Sequence, residues 1–168
     1  MKKKFVIQKH AASSLHYDFR IEIKGVLKSW AVPKGPSTDN KEKRLAVLTE
    51  DHPLDYADFE GTIPEDKYGG GTVSVWDSGT YTNMRREKEG VSIKESFEDG
   101  KIEIWLKGKK LKGGYVLIRT DKEKKHWLLK KMDDDEADAR RKPLKTQPES
   151  VLSGKTIKEI KKDDQKDD

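Results

Sequence analysis

The run Leu15–Ile23 alternates apolar and polar residues without a break. Successive side chains of a β-strand point to opposite faces, so this run predicts a strand with one apolar and one polar face. The polar face carries His16, Asp18, Arg20 and Glu22. Since 29 of the 36 basic residues of the chain are lysine, an arginine here is unusual for this composition. The face therefore offers ligands for a metal ion and a forked cation for an oxyanion, with an ordinary solvated strand face as the alternative.

A second imidazole lies close by in the sequence. His10 and His16 are separated by a segment that begins with two alanines and two serines, small residues that suit a chain reversal. Both imidazoles could then approach one ion together with the Asp18 carboxylate. Two neutral imidazoles and one carboxylate suit Mn²⁺, Zn²⁺ or Fe²⁺. We therefore predict a metal site at His10, His16 and Asp18, with a surface-exposed His10 as the alternative.

Two further residues suit phosphate chemistry. Arg20 lies two residues after Asp18 and thus on the same strand face, and a guanidinium binds phosphate oxygens bidentately, which lysine does not. His52 follows a predicted strand and precedes Pro53, at the entry to a loop. A metal ion, an arginine and a histidine together are typical of phosphoryl-group hydrolysis, in which cations neutralise the developing charge. A purely structural histidine is the alternative for His52.

The composition limits the class of protein. The chain has 168 residues, of which 32% are hydrophobic and 40% charged, which favours one small core with charged tails. The absence of cysteine excludes disulfides, thiolate nucleophiles and cysteine-ligated metal sites. A net charge of +5 favours polyanionic partners, nucleic acid first. The apolar stretch Phe5–Ile7 is too short for a signal peptide, and no run approaches the ~20 residues that span a bilayer. We expect a cytoplasmic protein without a membrane partner.

Short β-like runs alternate with turn signals over residues 5–131. We predict an all-β fold, a small closed or nearly closed β-barrel with one or two short helical segments, because closure removes exposed strand edges. A hairpin turn is expected at Lys24-Gly25 and another at residues 98–101, where Asp-Gly separates predicted strands at 91–97 and 102–106. A strand end is expected at Asp77–Gly79. Further strands are predicted at residues 44–49, 115–119 and 127–131.

The C-terminal region differs in composition from the rest. We predict a barrel domain over residues 1–132 and a charged extension over residues 133–168 that is partly disordered, above all beyond Lys161. Within the extension, Thr156 and Glu159 have the spacing of a capping box, which predicts a short helical turn.

Other features give weaker signals. The segment Tyr68–Thr72 is rich in glycine but lacks the lysine and hydroxyl residue of a P-loop, so we interpret it as backbone geometry at a close strand crossing. The four tryptophans lie in strand-like contexts and are expected mostly in the core.

Several motifs of the chain occur together in one known family. They are Phe5–His10, Leu15–Arg20, Leu27–Pro36, Glu50–Tyr56 and Phe59–Gly61. Through them the chain resembles the 3′-phosphoesterase domain of bacterial DNA ligase D, densely over residues 5–132. The resemblance implies a small β-barrel with its site in a cavity or groove. It also implies an Mn-dependent enzyme, a phosphomonoesterase and phosphodiesterase, that trims a 3′-terminal ribonucleoside to a 3′-phosphate and then exposes a 3′-OH.

The resemblance further implies roles for individual residues. The three candidate metal ligands correspond to the metal ligands of the family. Arg20 and His52 correspond to phosphate-binding catalytic residues, and Tyr56 is similar to an active-site tyrosine. Lys34 and Arg44 are expected as additional phosphate contacts. Gln8 and Glu50 are expected to support the residues that contact the metal and the phosphate.

From this resemblance we expect a free-standing, monomeric member of the family that acts in DNA repair. Mn²⁺ is the expected cofactor, with Zn²⁺ or another divalent metal as alternatives. The expected partners are DNA or DNA–RNA primer-template 3′ ends, and a ligase and other end-joining proteins recruited in trans. Two other classes stay open: a noncatalytic nucleic-acid-binding β-barrel, and a cupin-like metal enzyme acting on small molecules. The small-molecule enzyme would give no role to Arg20 or to the basic net charge.

Overall fold

The computed structural model describes residues 2–166, and this part of the chain contains ten strands. The strands are β1 (Lys3–Ala11), β2 (Leu15–Ile23), β3 (Val26–Val32), β4 (Lys43–Leu48), β5 (His52–Pro53), β6 (Gly61–Ile63), β7 (Gly71–Asn83), β8 (Lys101–Gly108), β9 (Lys112–Asp121) and β10 (His126–Lys131). Eight of them pair antiparallel in the order β1-β2-β3-β4-β10-β9-β8-β7, and β7 pairs back with β1. This closed barrel confirms the predicted all-β fold. The short strands β5 and β6 lie outside this ring, on β3 and β7.

The helices are short, and the last two follow the final strand. They are a 3₁₀ turn at Leu54–Asp58, α1 (Met84–Glu89), α2 (Ile93–Asp99), α3 (Pro143–Thr146) and α4 (Ile157–Lys166). The predicted strand at residues 91–97 and hairpin turn at residues 98–101 are wrong, because this segment folds as α2. Ser92 and Glu95 form a capping box that starts the helix, and Gly100 ends it with a φ of 78°. The Asp-Gly pair is thus a helix terminus.

The other two turn predictions have different outcomes. Lys24 and Gly25 form the predicted two-residue turn, both with positive φ, between β2 and β3. The predicted strand end at Asp77–Gly79 is wrong, because β7 continues to Asn83. The buried Asp77 carboxylate accepts backbone N–H groups, from Ser78 and from residues 109–111 of the β8–β9 turn, at 2.8–3.0 Å. This polar residue anchors a neighbouring turn and does not end its own strand.

The main core fills the inside of the barrel. The apolar face of β2 contributes Tyr17, Phe19, Ile21 and Ile23 to it, while Leu15 at the strand start is exposed. Three of the four tryptophans, Trp30, Trp76 and Trp127, are fully buried there, and Trp105 is half-buried. A second, smaller apolar cluster lies on the outer wall. It contains Val6, Leu27, Ala57 and Val75, with Leu54, Tyr56 and Val151 packed against it.

Residues 133–166 pack against the barrel. The Trp76 indole donates to the Gln147 carbonyl at 2.8 Å, and the amide of Val151 donates to the Val75 carbonyl at 2.9 Å. Thr156 and Glu159 form the predicted capping box at the start of α4. The division of the chain at residue 132 stays a prediction. The predicted disorder beyond Lys161 falls partly on residues 167 and 168, which lie outside the described residues.

No helix within residues 2–166 is long and apolar enough to span a membrane.

Candidate metal and phosphate site

The polar face of β2 lies on the outer wall of the barrel. Antiparallel pairing of β1 with β2 sets His10 opposite His16 and Gln8 opposite Asp18. On the other side of β2, strand β3 places Ala31 opposite Asp18. Because this neighbour is small, the wall is recessed at Asp18 and a groove forms beside it.

The groove has a volume of about 650 Å³. Six of the predicted site residues line it: His10, His16, Asp18, Arg20, His52 and Tyr56. The structure therefore brings the predicted metal ligands and the predicted catalytic residues into one cavity. The opposite wall comes from a loop between β6 and β7 that includes Glu65 and Tyr68.

His10, His16 and Asp18 form a compact group whose ligand atoms lie within 4.8 Å of one another. His10 Nδ1 lies 3.5 Å from Asp18 Oδ2, and His16 Nε2 lies 3.2 Å from Asp18 Oδ1. The far nitrogens face backbone carbonyls, His10 Nε2 at 3.0 Å from Gly70 O and His16 Nδ1 at 3.3 Å from Ser14 O. A carbonyl only accepts, so the far nitrogen carries the proton and a neutral ring turns its lone pair towards the carboxylate. This donor set fits a divalent cation.

Electrostatics within this group point the same way. Burial alone would raise the pKa of Asp18, but hydrogen bonds from His10 and His16 and the charge of Arg20 outweigh it and hold that pKa well below its ordinary value. The hydrogen bond with Asp18 in turn raises the pKa of His16. Arg20 thus stabilises the buried carboxylate, and each imidazole does so as well when its facing nitrogen carries a proton, a place that a metal ion would take.

The Arg20 guanidinium is held by three partners. Its Nε donates to Gln8 Oε1 at 2.6 Å, Nη1 lies 3.1 Å from His52 Nδ1, and Nη2 lies 3.4 Å from Asp18 Oδ2. A guanidinium has five N–H groups, so one N–H on each terminal nitrogen stays available. These two form a fork that can bind two oxygens of one phosphate.

His52 lies on β5, which pairs with β3 at Leu27. Its Nδ1 is 3.1 Å from both Arg20 Nη1 and the Glu50 carbonyl, which compete for it. Because a guanidinium only donates, the contact with Arg20 makes Nδ1 the acceptor and leaves the proton on Nε2. Burial and the charge of Arg20 lower the pKa of His52. His52 is therefore a neutral hydrogen-bond donor near pH 7.

Tyr56 completes this side of the groove. Its ring centroid lies 4.7 Å from that of His52 and 5.1 Å from the Arg20 Cζ. Burial raises the pKa of Tyr56, so its hydroxyl keeps its proton and can donate. Gln8 donates from Nε2 to the carbonyls of Tyr56 and Phe59 at 2.8 and 3.1 Å. One buried amide therefore joins Arg20 to the turn that carries Tyr56.

The remaining predicted residues lie elsewhere. The Glu50 carbonyl lies 3.1 Å from His52 Nδ1, and the Glu50 side chain is exposed. Lys34 is exposed in the turn after β3, and Arg44 forms an ion pair with Glu42 at 2.7 Å. Neither Lys34 nor Arg44 lines the groove, so the structure does not bring them to the other site residues. Their phosphate-binding role stays a prediction.

One wall of the groove was not predicted as part of a site. It consists of Glu65, Tyr68 and Gly69–Gly71. The sequence predicts that these glycines permit a close crossing of strands. This is confirmed at Gly71, where an added Cβ would lie 2.3 Å from the Ala11 carbonyl oxygen. The signal that this loop also lines a site is the aromatic residue directly before the glycines.

The sequence has well-defined relatives. A sequence model of the DNA ligase D 3′-phosphoesterase domain matches residues 8–119. The chain is 51% identical over 158 residues to the multifunctional non-homologous end joining protein LigD of Pseudomonas aeruginosa, covering 92% of this chain and 18% of that protein. It is 46% identical over 136 residues to the protein of the same name from Mycolicibacterium smegmatis, covering 78% of this chain and 17% of that protein.

A third relative is the multifunctional non-homologous end joining DNA repair protein LigD of Mycobacterium tuberculosis. The identity is 46% over 132 residues, covering 76% of this chain and 16% of that protein. The chain thus spans less than a fifth of the length of each of these relatives.

Proposed function

The chain belongs to the family of DNA ligase D 3′-phosphoesterase domains, and on that basis we propose that it removes 3′-phosphate groups from DNA ends during end-joining repair. One observation carries the proposal. A group of metal-ligand type and the free fork of Arg20 line the same groove, so a phosphate could contact both at once. This is the arrangement that phosphoester hydrolysis needs, because negative charge grows on the phosphate oxygens during the reaction.

The metal ion would be held by His10, His16 and Asp18. When bound, it supplies Lewis acidity to a phosphate oxygen and to water. We propose Mn²⁺, because two imidazoles and a carboxylate suit this ion, although the same donor set also suits Zn²⁺.

The other residues of the groove act on the phosphate itself. The two free N–H groups of Arg20 bind two phosphate oxygens and offset their charge. His52 donates its Nε2 proton in a hydrogen bond to a phosphate oxygen. A neutral imidazole is a poor acid, so its environment favours this role over proton transfer to the leaving 3′-oxygen. The Tyr56 hydroxyl is a further donor on the same side.

We extend the proposal to a 3′-terminal ribonucleoside, whose removal would leave the 3′-phosphate that the same groove then removes. The family resemblance supports this step. The names of the relatives refer to non-homologous end joining, and we propose the same process for this chain, with primer-template 3′ ends as substrate and a ligase as a partner. We propose that the active form is a monomer, because one chain supplies all the residues named for the site.

The test is an end-processing assay on labelled primer-templates that end in a 3′-phosphate or in a single 3′-ribonucleotide. Reactions contain Mn²⁺ or EDTA, with His16→Ala as the control for contaminating phosphatases. We expect Mn²⁺-dependent formation of 3′-OH ends by the wild-type protein and none by the variant. No turnover on either end with bound metal would refute the proposal, and salt-dependent binding that is indifferent to EDTA would favour a noncatalytic barrel. Turnover of a small phosphate ester alone would favour a small-molecule enzyme.

A further inference from the structure

Tyr68 stands out among the aromatic residues of residues 2–166 because its side chain is exposed. It is 76% exposed, whereas every other phenylalanine, tyrosine and tryptophan in this part of the chain is at least partly buried. Tyr68 also lines the groove that holds the candidate metal ligands. An exposed ring at the mouth of a polar cavity has a face available for a flat partner.

The loop that carries Tyr68 is held in place by the site itself. Its backbone closes two tight turns, with Lys67 N donating to Pro64 O at 2.9 Å and Gly70 N donating to Lys67 O at 3.0 Å. The carbonyl of Gly70 accepts from His10 at 3.0 Å. A side chain at Gly70 would collide with Pro64 O, which it would approach to 2.7 Å. The backbone that carries Tyr68 therefore has a defined position relative to a candidate metal ligand.

The charges around Tyr68 indicate where its phenol lies. Partial burial, the charge of Glu50 and a hydrogen bond to Glu50 raise the pKa of Tyr68, and the charges of Arg20 and Asp18 also act on it. The phenol thus lies beside Glu50 and within electrostatic range of the site. Glu50 lies two residues before His52, which lines the same groove as Tyr68.

We propose that Tyr68 is the platform on which the terminal nucleobase of a 3′ end stacks while its phosphate occupies the groove. The inference rests on the proposed function and adds a residue that selects nucleotide ends. A groove of about 650 Å³ is in the size range of sites that enclose small ligands. Every base has a flat face, so stacking fits an enzyme that must accept ends of any sequence.

The first measurement is binding to a primer-template with 2-aminopurine as its terminal nucleotide, carrying a 3′-phosphate. Stacking on an aromatic ring quenches this base, so we expect quenching by the wild-type protein and by Tyr68→Phe and Tyr68→Trp. We expect none on binding by Tyr68→Ser. Ile118→Thr is the matched control, since Ile118 is also an exposed apolar side chain (44%) but lies on β9, away from the groove. Absence of quenching by the wild-type protein, or equal quenching by Tyr68→Ser, would overturn the proposal.

The second measurement compares kcat/KM on ends with a terminal nucleoside 3′-phosphate and on ends with an abasic 3′-phosphate. Stacking should favour the nucleoside end by about 5- to 150-fold in the wild-type protein, and Tyr68→Ser should bring the ratio close to one. An unchanged ratio in Tyr68→Ser would contradict the stacking role. If the wild-type protein turns over neither end, the proposed function fails, while the quenching comparison still decides the role of Tyr68.

Discussion

Replacing Gln8 with methionine should break the link between Arg20 and the turn that carries Tyr56. Gln8 is 0% exposed and forms three hydrogen bonds, one from Arg20 Nε and two to the carbonyls of Tyr56 and Phe59. Methionine has a similar length without a donor or an oxygen acceptor. The variant therefore removes all three bonds with little change in volume.

The cost can be worked out from these bonds. At about 1 kcal/mol for each neutral bond and about 2 kcal/mol for the bond from the guanidinium, the loss is about 4 kcal/mol in the free energy of unfolding. Domains of this kind have a total of about 5–15 kcal/mol, so the variant should still fold. The measurement is urea unfolding, with Ser74→Ala as the matched control. Ser74 is also buried on a neighbouring strand, and its hydroxyl has no hydrogen-bond partner within the described structure.

The same variant should also lose activity. With Nε released, the Arg20 guanidinium is held only by His52 and Asp18, and misplacement of a binding group by about 1 Å can reduce the rate by roughly 10²-fold. We expect kcat/KM on 3′-phosphate ends to fall by about this factor, while metal affinity stays unchanged because Gln8 does not contact the metal group. Unchanged stability would show that the three bonds do not form. A loss of stability with wild-type kcat/KM would refute the positioning of Arg20 by Gln8.

Three further predictions concern the metal group, the glycine loop and a buried lysine. Asp18→Asn keeps the shape but removes the charge between two imidazoles, so calorimetry should show metal affinity lowered by more than about 100-fold, and wild-type affinity would exclude this site. Gly71→Ala forces a Cβ to within 2.3 Å of Ala11 O at a φ of 121°, so we expect a loss of about 2–3 kcal/mol in urea unfolding, which a wild-type midpoint would contradict. Burial lowers the pKa of Lys110 to about 8, so between about pH 8 and pH 10 the unfolded chain binds more protons than the native state and stability rises with pH. The free energy of unfolding of Lys110→Met should lack this rise with pH, and parallel pH dependences for the two proteins would contradict the lowered pKa of Lys110.

The part of the fold that follows from local patterns could be predicted from the sequence. Alternation identified both faces of β2, and Lys24-Gly25 identified a hairpin. The segment at residues 91–99 could not be assigned correctly, because an Asp-Gly pair suits both a hairpin and the end of a helix. The capping box of Ser92 decides for the helix. Asp77 could not be placed because its four donors come largely from a turn more than 30 residues away.

The site residues also separate into those that local patterns predict and those that depend on long-range packing. His10, His16 and Asp18 follow from spacing on one hairpin, His52 follows from its position before Pro53, and Tyr56 follows from the family resemblance. The position of Arg44 depends on which face of β4 turns inwards, and the role of Tyr68 depends on how a glycine loop lies against β1. Both depend on packing between segments that are distant in the sequence. The spacing of residues along the chain does not predict such packing.

The three candidate metal ligands lie within nine residues of one another, on the β1–β2 hairpin. The barrel, in contrast, closes only when β1 meets β7, some 60 to 80 residues further along the chain. Local contacts form early in folding, and distant pairings are slow because they must close a long loop. A metal ion bound there would hold, before closure, the hairpin with which β7 must pair. We expect added metal to accelerate refolding as well as to slow unfolding, so that the ion assists assembly of the barrel before it takes part in any reaction.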